Sequence, residues 1–496
     1  MRRIFPGRKV SLKDLEDISL SKAEVRLDAD SALAMIETRK VVEDILSSGR
    51  VAYGINTGFG FLSDVVIPPG DARKLQVNLL RSHACGVGEP LPEEIVRIIM
   101  FLRAHVLAKG FSGVRPVICE TIAEMLNRGV HPVIPSKGSV GASGDLAPLA
   151  HLSLVLIGEG AASYKGVVLS GADAMKRAGI EPVQLEAKEG ISLINGTQVM
   201  TALGIRALLR LKRILAAADI AGAMSLEACM GTAAAFSERI QNLRPYSGQK
   251  RCAEDMRRLL EGSEIGRSHS ECKKVQDPYS FRCIPQVHGA VYDAVDYVEN
   301  VVLTEIDSVT DNPLVFPDGE VISGGNFHGE PVAIALDFLA IAVSELASIS
   351  ERRIEQLVNP HLSSGLPAFL TPQSGLNSGF MIAQVAAASL VSENKVLCHP
   401  ASVDSIPSSA NREDHVSMGV TAGLKALQVV ENVETVIAVE LLCAAQGLEF
   451  RKPLKPGIEV LKFYERIRSE IAPLTDDRNV SDDITKIKKI LNEYFG

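Results

Sequence analysis

Residues 424–441 read LKALQVVENVETVIAVEL, and their apolar side chains recur every three or four positions, with glutamates between them. This spacing predicts a long amphipathic helix. The same period runs through residues 332–349. Residues 201–235 are apolar on all sides, which predicts a helix buried in a bundle or a subunit interface. Long helices in series predict a mostly α protein built on a long-helix bundle.

The sequence on the N-terminal side of these helices has a different character. Glycine and proline cluster at residues 54–60, 68–70, 86–92 and 132–144. Such residues favour turns and loops, so we expect a smaller, loop-rich N-terminal domain at residues 1–200. Residues 201–496 are expected to form the long-helix domain. Its charged, proline-containing end is expected to fold into short surface helices.

The composition excludes several classes of protein. The 496 residues carry a formal net charge of -8 without a dense basic run, so neither nucleic acid nor an anionic membrane is an expected partner. Residues 1–10 lack the apolar segment of a secretory signal, and polar residues interrupt the uncharged stretch 366–392. The 8 cysteines form no CxxC pair and the 10 histidines are dispersed. We therefore expect reduced thiols, no metal and a cytoplasmic location.

The most unusual segment is residues 137–151, KGSVGASGDLAPLAH. It lacks the Walker spacing, the GxGxxG pattern and the GxSxG nucleophile elbow. A flexible turn before a helix remains an alternative for this segment taken alone.

The tripeptide Ala142-Ser143-Gly144 favours a different chemistry, because all three residues are small. In a tight turn the Gly144 nitrogen can attack the Ala142 carbonyl carbon and close a five-membered ring with loss of water. Ser143 can lose a second water and leave an electrophilic methylidene group. We expect Asp145 to cap a helix whose first turn contains Pro148, which would place the ring at the positive helix end.

The segment resembles the signature of the histidine/phenylalanine/tyrosine ammonia-lyase family, whose members form 4-methylidene-imidazol-5-one (MIO) from Ala-Ser-Gly. Further blocks resemble family sequences in the family's order, at residues 53–60, 195–198, 276–282, 310–313, 324–328 and 393–418. The resemblance covers nearly the whole chain. It implies the aromatic amino acid lyase (fumarase-like) fold and a homotetramer whose active sites contain residues of more than one subunit.

Two positions indicate the substrate. Ser82-His83 matches the pair found in histidine lyases, whereas the phenylalanine and tyrosine enzymes resemble Phe-Leu and His-Leu there. An imidazole substrate needs hydrogen-bonding partners, and a phenyl ring needs an apolar wall. Glu413 and His415 likewise favour histidine. Arg412 stands where the family usually has Gln, and we expect it to pair with Glu413 or to alter the pocket.

The implied reaction is the non-oxidative deamination of L-histidine to trans-urocanate and ammonia. The resemblance makes Tyr53 the base that removes the β-proton, which requires neighbouring dipoles or cations to stabilise its phenolate. Arg282 would bind the substrate carboxylate through its planar guanidinium. A carboxylate at Glu413 could hold the imidazole N–H. The remaining implied residues contact or orient cofactor and substrate: Asn195, Gln276, Tyr279 and Phe327.

Two alternatives stay open at this point. One is an MIO enzyme that acts on tyrosine or phenylalanine, as a lyase or as an aminomutase, since that partition depends on lid motions. The other is a non-enzymatic helical assembly protein that keeps an inert loop.

Overall fold

The computed structural model describes residues 2–270 and 274–495. About 60% of the chain is helical and 7% is in strands, which confirms the prediction of a mostly α, bundle-type fold. The chain divides into two compact units. The first contains residues 1–206, 300–337 and 400–424, and the second contains residues 207–299, 338–399 and 425–496.

Helices follow one another along the whole described chain. Their bounds are α1 Leu12–Ser19, α2 Ala29–Ser48, α3 Ala72–His83, α4 Glu93–Ala108, α5 Pro116–Arg128, α6 Ala147–Leu156, α7 Gly171–Ala178, α8 Glu189–Ile194, α9 Gln198–Ala228, α10 Glu238–Asn242, α11 Ser247–Leu259, α12 Glu264–Ser268, α13 Tyr279–Arg282, α14 Ile284–Asp307, α15 Glu330–Val358, α16 Met381–Leu397, α17 Gly419–Glu449, α18 Ile458–Arg468 and α19 Val480–Phe495. Short 3-10 turns lie at Gly60–Leu62, Pro69–Asp71, Ala233–Phe236, Ala368–Leu370 and Ser409–Asn411.

The strands are short and, within the described residues, belong to the first unit. They are β1 Arg2–Ile4, β2 Ala23–Val25, β3 Val87–Pro90, β4 Val130–Pro132, β5 Pro135–Lys137, β6 Ala161–Tyr164, β7 Val167–Ser170, β8 Leu314–Val315 and β9 Val321–Ile322. β1 pairs with β2 in parallel, while β3–β5, β4–β6–β7 and β8–β9 are antiparallel.

The three helices expected from the sequence are present as α9, α15 and α17. In α17 the predicted apolar stripe is buried, with Val430, Val433, Ile437 and Leu441 completely inaccessible. Each buried side chain of this size contributes about 1.5–3 kcal/mol, which is why the stripe sets the position of the helix. α15 is also the one described helix long and apolar enough to cross a membrane, and 56% of its most apolar window is buried inside the protein.

The units differ from the predicted division at residue 200. The first unit extends to Arg206, close to that position, but it also contains residues 300–337 and 400–424. The β8–β9 hairpin belongs to the first of these added segments. Local sequence patterns cannot predict that a later segment packs with an earlier one, because such packing depends on contacts between distant segments.

The first unit brings the tripeptide next to the connection between α8 and α9. Gly144 and Gly196 form an isolated parallel bridge, in which the Asp145 N–H donates to the Gly196 carbonyl at 2.8 Å. Pro148 lies in the first turn of α6, as expected. The expected cap is wrong, because Leu146 is the N-cap residue. The Asp145 carboxylate instead accepts the Val199 N–H at the start of α9, at 2.5 Å.

Candidate active site

A cavity of about 690 Å³ opens within the first unit. Seven residues expected at the site line it: Tyr53, His83, Ala142, Ser143, Asn195, Phe327 and Glu413. Gly144 lines a smaller cavity of about 300 Å³ that shares His83, Ala142 and Glu413 with the first. The structure therefore brings together segments that lie hundreds of residues apart in sequence.

The backbone around the tripeptide leaves no room for larger residues. Gly144 has φ +76°, and a Cβ there would lie 2.2 Å from the Gly196 carbonyl oxygen. A Cβ on Gly141, at φ +68°, would lie 2.3 Å from Ser417 Oγ. Within residues 2–270 and 274–495, no group accepts a hydrogen bond from the Gly144 N–H. The Gly144 nitrogen is expected to attack the Ala142 carbonyl carbon. Its position is fixed by the packing, and its N–H donates no hydrogen bond to the described residues.

Glu413 contacts the Ser143 side chain directly. The Ser143 hydroxyl donates to Glu413 Oε1 at 2.7 Å, and the Ser408 hydroxyl donates to Oε2 at 2.6 Å. Arg412 lines the same cavity but forms no ion pair with Glu413 among the described residues. The turn before it is left-handed, with φ of 51°, 54° and 65° at residues 409–411. Of the two expectations for Arg412, pairing with Glu413 is not seen among the described residues, and Arg412 is part of the cavity lining.

His83 ends α3 with Nδ1 hydrogen-bonded and with no partner for Nε2 among the residues that the structure describes. Its Nδ1 lies 2.9 Å from the Leu79 carbonyl oxygen and 3.1 Å from Ser82 Oγ. A carbonyl oxygen only accepts, so Nδ1 carries the proton and Nε2 keeps a lone pair. Burial lowers the pKa of His83 below its ordinary value of 6.5, against the opposing effects of the Leu79 carbonyl and the Glu413 charge. The ring is therefore neutral at pH 7 and offers an acceptor.

Tyr53 lies at the cavity wall beside a glycine-rich turn. The Gly60 N–H donates to its phenolic oxygen at 3.3 Å. A Cβ on Gly60, at φ +55°, would lie 2.7 Å from Ser409 Oγ, so the turn requires a residue without a side chain. A backbone N–H aimed at an oxygen stabilises negative charge on it. This contact supplies one of the dipoles that a tyrosine base needs.

A buried arginine behind the tripeptide was not expected from the sequence. Arg103, in α4, is inaccessible to solvent, and its Nη1 donates to the Asn195 carbonyl at 2.6 Å. The Asn195 side chain donates to the Asn312 carbonyl at 3.1 Å, and its Oδ1 is buried with no partner among the described residues. Burial raises the pKa of Asp145 to about 8, and the Val199 N–H and Arg103 oppose that rise. The sequence indicates this buried group only through Arg103 itself, a charged residue within the apolar sequence of α4.

Three expected site residues line neither of these two cavities. Gln276, Tyr279 and Arg282 belong to the second unit. The Arg282 guanidinium carbon lies 4.4 Å from the centre of the Tyr279 ring, and Tyr279 is 69% exposed. Arg282 Nε is buried and has no hydrogen-bond partner among the described residues. This group presents an aromatic ring and a cation at the surface of its own unit.

Two further clusters contain residues that can bind metals. His328, Glu330 and His415 lie near the cavity, with the two imidazole rings parallel and 5.7 Å apart. In the second unit, the Asp219 carboxylate accepts from Tyr292 at 2.6 Å, and Cys252 and His288 lie beside it. The second cluster already satisfies its carboxylate with hydrogen bonds from the protein. Cys85, Cys119, Cys229, Cys252, Cys283 and Cys443 have free thiols, and Cys272 lies outside the described residues.

Comparison with known proteins gives consistent matches. Residues 10–469 match the aromatic amino acid lyase family. A histidine ammonia-lyase of Koribacter versatilis is 55% identical over 98% of this chain and 96% of its own length. The crystal structure of histidine ammonia-lyase from Trypanosoma cruzi is 45% identical, with a TM-score of 0.92 over 99% of this chain and 94% of that one. Tyrosine aminomutase from Streptomyces globisporus is 36% identical, with a TM-score of 0.93 over 99% and 97% of the two chains.

Proposed function

The chain belongs to the aromatic amino acid lyase family, and on that premise we propose that it deaminates L-histidine to trans-urocanate and ammonia. This membership makes it a carbon–nitrogen lyase and not a non-enzymatic assembly protein. The observation that carries the proposal is that His83, Glu413 and Ala142 line both cavities, with Ser143 in the larger cavity and Gly144 in the smaller one.

The residues around the tripeptide fit an MIO group formed from it. The Gly196 backbone fills the space that any side chain at residue 144 would need, and Ala142 is only 4% exposed. Compression of this kind favours a ring closure, because it holds the reacting atoms together before the reaction. Asn195 and Phe327 line the cavity and would hold the group. Once formed, MIO supplies an electrophilic carbon for the substrate amine and so improves nitrogen as a leaving group.

His83 supports histidine as the substrate. The Leu79 carbonyl fixes the tautomer, so Nε2 accepts a hydrogen bond from an imidazole N–H. A phenyl ring would leave this acceptor without a partner, which costs about 1–3 kcal/mol. The Glu413 carboxylate lines the same cavity. It can accept a hydrogen bond from the second ring nitrogen of the substrate when the substrate imidazole is protonated. This geometry therefore favours histidine over phenylalanine, and the 55% identity to a histidine ammonia-lyase supports histidine over tyrosine as well.

Tyr53 is the proposed base for the β-proton. Its oxygen accepts the Gly60 N–H, which holds the phenol group at the cavity wall. The assignment of Tyr53 as the base therefore rests on the resemblance and on its place in the cavity wall.

We propose further that the enzyme is a cytoplasmic homotetramer with shared active sites. Gln276 and Tyr279 are exposed in the second unit and could reach the cavity of another copy, with Arg282 binding the substrate carboxylate. Helix α16 exposes apolar side chains that would otherwise face water, among them Ile382 at 65% and Val396 at 74%. Patches of this kind mark interaction surfaces in a protein of this class. The free thiols of Cys85, Cys119, Cys229, Cys252, Cys283 and Cys443 suit a reducing compartment.

The experiment is a side-by-side assay of the purified protein with L-histidine, L-tyrosine and L-phenylalanine. Urocanate, coumarate and cinnamate each absorb in the ultraviolet, and liquid chromatography separates β-amino acids from the α-substrates. We expect urocanate from L-histidine as the main product. A higher kcat/KM for tyrosine or phenylalanine, or a β-amino acid product, would favour the lyase or aminomutase alternative and overturn the assignment of His83.

A further inference from the structure

The hydroxyl group that has to leave Ser143 is already in contact with a carboxylate. Ser143 Oγ lies 2.7 Å from Glu413 Oε1, which is ordinary hydrogen-bond distance. No other side chain is bonded to this hydroxyl among the described residues. Hydroxide is a poor leaving group, so loss of water from Ser143 requires a proton donor at Oγ.

We propose that Glu413 is the proton-transfer residue that dehydrates Ser143, which makes the chain the catalyst of its own maturation. The inference rests on the proposed function, because it assumes that the tripeptide matures into MIO. It gives Glu413 a first task that is finished before any substrate binds.

The step balances with the groups present. The carboxylate takes the proton from Ser143 Cα after the ring has closed. The electron pair of that bond forms the Cα–Cβ double bond as the Cβ–Oγ bond breaks. While that bond breaks, the protonated Glu413 gives the same proton to Oγ, so that the leaving group is water and not hydroxide. Glu413 ends as the carboxylate it was at the start, and no oxidant or other reactant is needed.

The geometry suits such a relay. Ser408 donates to Oε2 at 2.6 Å and so fixes the carboxyl group with Oε1 toward Ser143. Glu413 N donates to the Ser408 carbonyl and Ser408 N donates to the Glu413 carbonyl, which ties the two backbones together. The side chain is therefore oriented before the reaction, which lowers the cost of reaching the transition state.

The test uses the full-length protein and intact-mass spectrometry, with no lyase assay. Glu413→Gln keeps the size and the hydrogen bond but cannot relay a proton. We expect it to accumulate folded protein lighter than the encoded chain by one water, with loss of the second water slowed about 10²-fold. Asp414→Asn is the matched control, because Asp414 lines the same cavity without contacting Ser143, and it should lose two waters as the parent does.

A second variant separates proton transfer from a structural role. Glu413→Ala should also stop at one water, and added formate should convert the trapped protein to the two-water form, because formate can occupy the vacated space and relay the proton. Loss of two waters by Glu413→Gln at the parent rate would overturn the inference, and so would a folded variant that loses none. A parent chain without any water deficit would refute the proposed function itself, so the two failures are distinguishable.

Discussion

The tight packing of Gly196 against the tripeptide makes a sharp prediction for Gly196→Ala. Gly196 has φ +134°, and a Cβ there would lie 2.6 Å from Gln198 Oε1, 2.9 Å from Thr310 Oγ1 and 3.0 Å from the Thr310 carbonyl oxygen. This backbone conformation costs about 1–3 kcal/mol for alanine. The Gln198–Thr310 side-chain hydrogen bond, 2.8 Å long, must also move, which adds about 1 kcal/mol. We expect a loss of about 2–4 kcal/mol in the free energy of unfolding.

The same substitution should slow maturation. Gly196 holds the tripeptide through the Asp145 N–H, at 2.8 Å, and through its own N–H to the Ser143 carbonyl, at 3.4 Å. A displacement of about 1 Å in a reacting geometry can cost about 10²-fold in rate. Intact mass at fixed times after synthesis should therefore show Gly196→Ala retaining both waters while the parent has lost them.

Gly49→Ala is the control for left-handed backbone alone. Gly49 has φ +71° and nothing within 4 Å of a built Cβ, so it should cost only about 1–2 kcal/mol and mature normally. Urea unfolding of the parent and both variants gives the stabilities. If Gly196→Ala matured at the parent rate and unfolded with the free energy of Gly49→Ala, the reasoning about the compressed tripeptide would be refuted.

The remaining predictions concern the cofactor, the substrate and pH. Ser143→Ala should abolish both the two-water deficit and urocanate formation while leaving the circular dichroism spectrum unchanged; normal turnover would contradict the cofactor assignment. His83→Leu should lower kcat/KM for histidine at least about tenfold relative to that for phenylalanine, because the imidazole N–H loses its acceptor, and an unchanged ratio would count against this role. Since burial lowers the pKa of His83, the parent should keep its affinity for histidine at pH 7 and lose it as pH falls below 6.5, which a KM–pH profile can check. The pKa of Asp145 is raised from 3.8 to about 8, so the folded state keeps a proton that the unfolded state releases, and burial costs more stability as pH rises between these values. The unfolding free energy of Asp145→Asn relative to the parent should therefore increase from pH 4 to pH 8; a flat difference would argue against the raised pKa.

Periodicity predicted α15 and α17, because their apolar residues recur at regular helical spacing. It did not identify α14, although Val291, Val295, Val298 and Val302 repeat at steps of four and three and are buried. The branched side chain of valine favours β-strands. A stripe rich in valine therefore indicates a helix less clearly than a stripe rich in leucine. Residues 300–337 and 400–424 belong to the first unit because of tertiary contacts, and the local sequence does not predict such contacts.

For the site, seven of the residues that the resemblance implies line the cavity, including Tyr53, His83 and Glu413. The layer behind it was not predicted. Arg103 acts through a bond to the Asn195 carbonyl, and a side chain that bonds to distant backbone cannot be assigned from spacing. The prediction that Asp145 caps α6 is wrong for the same reason. Its carboxylate accepts a hydrogen bond from the N–H of Val199, which lies 54 positions later in the sequence.

The central claim is that this chain converts its own Ala142-Ser143-Gly144 backbone into the electrophile. The most direct test is the mass of the peptide containing residues 142–144, released by proteolysis from natively purified protein. The account predicts a peptide lighter than the encoded sequence by two waters, with both losses assigned to these three residues by fragmentation. A peptide of the full encoded mass from protein that forms urocanate from histidine would contradict the account.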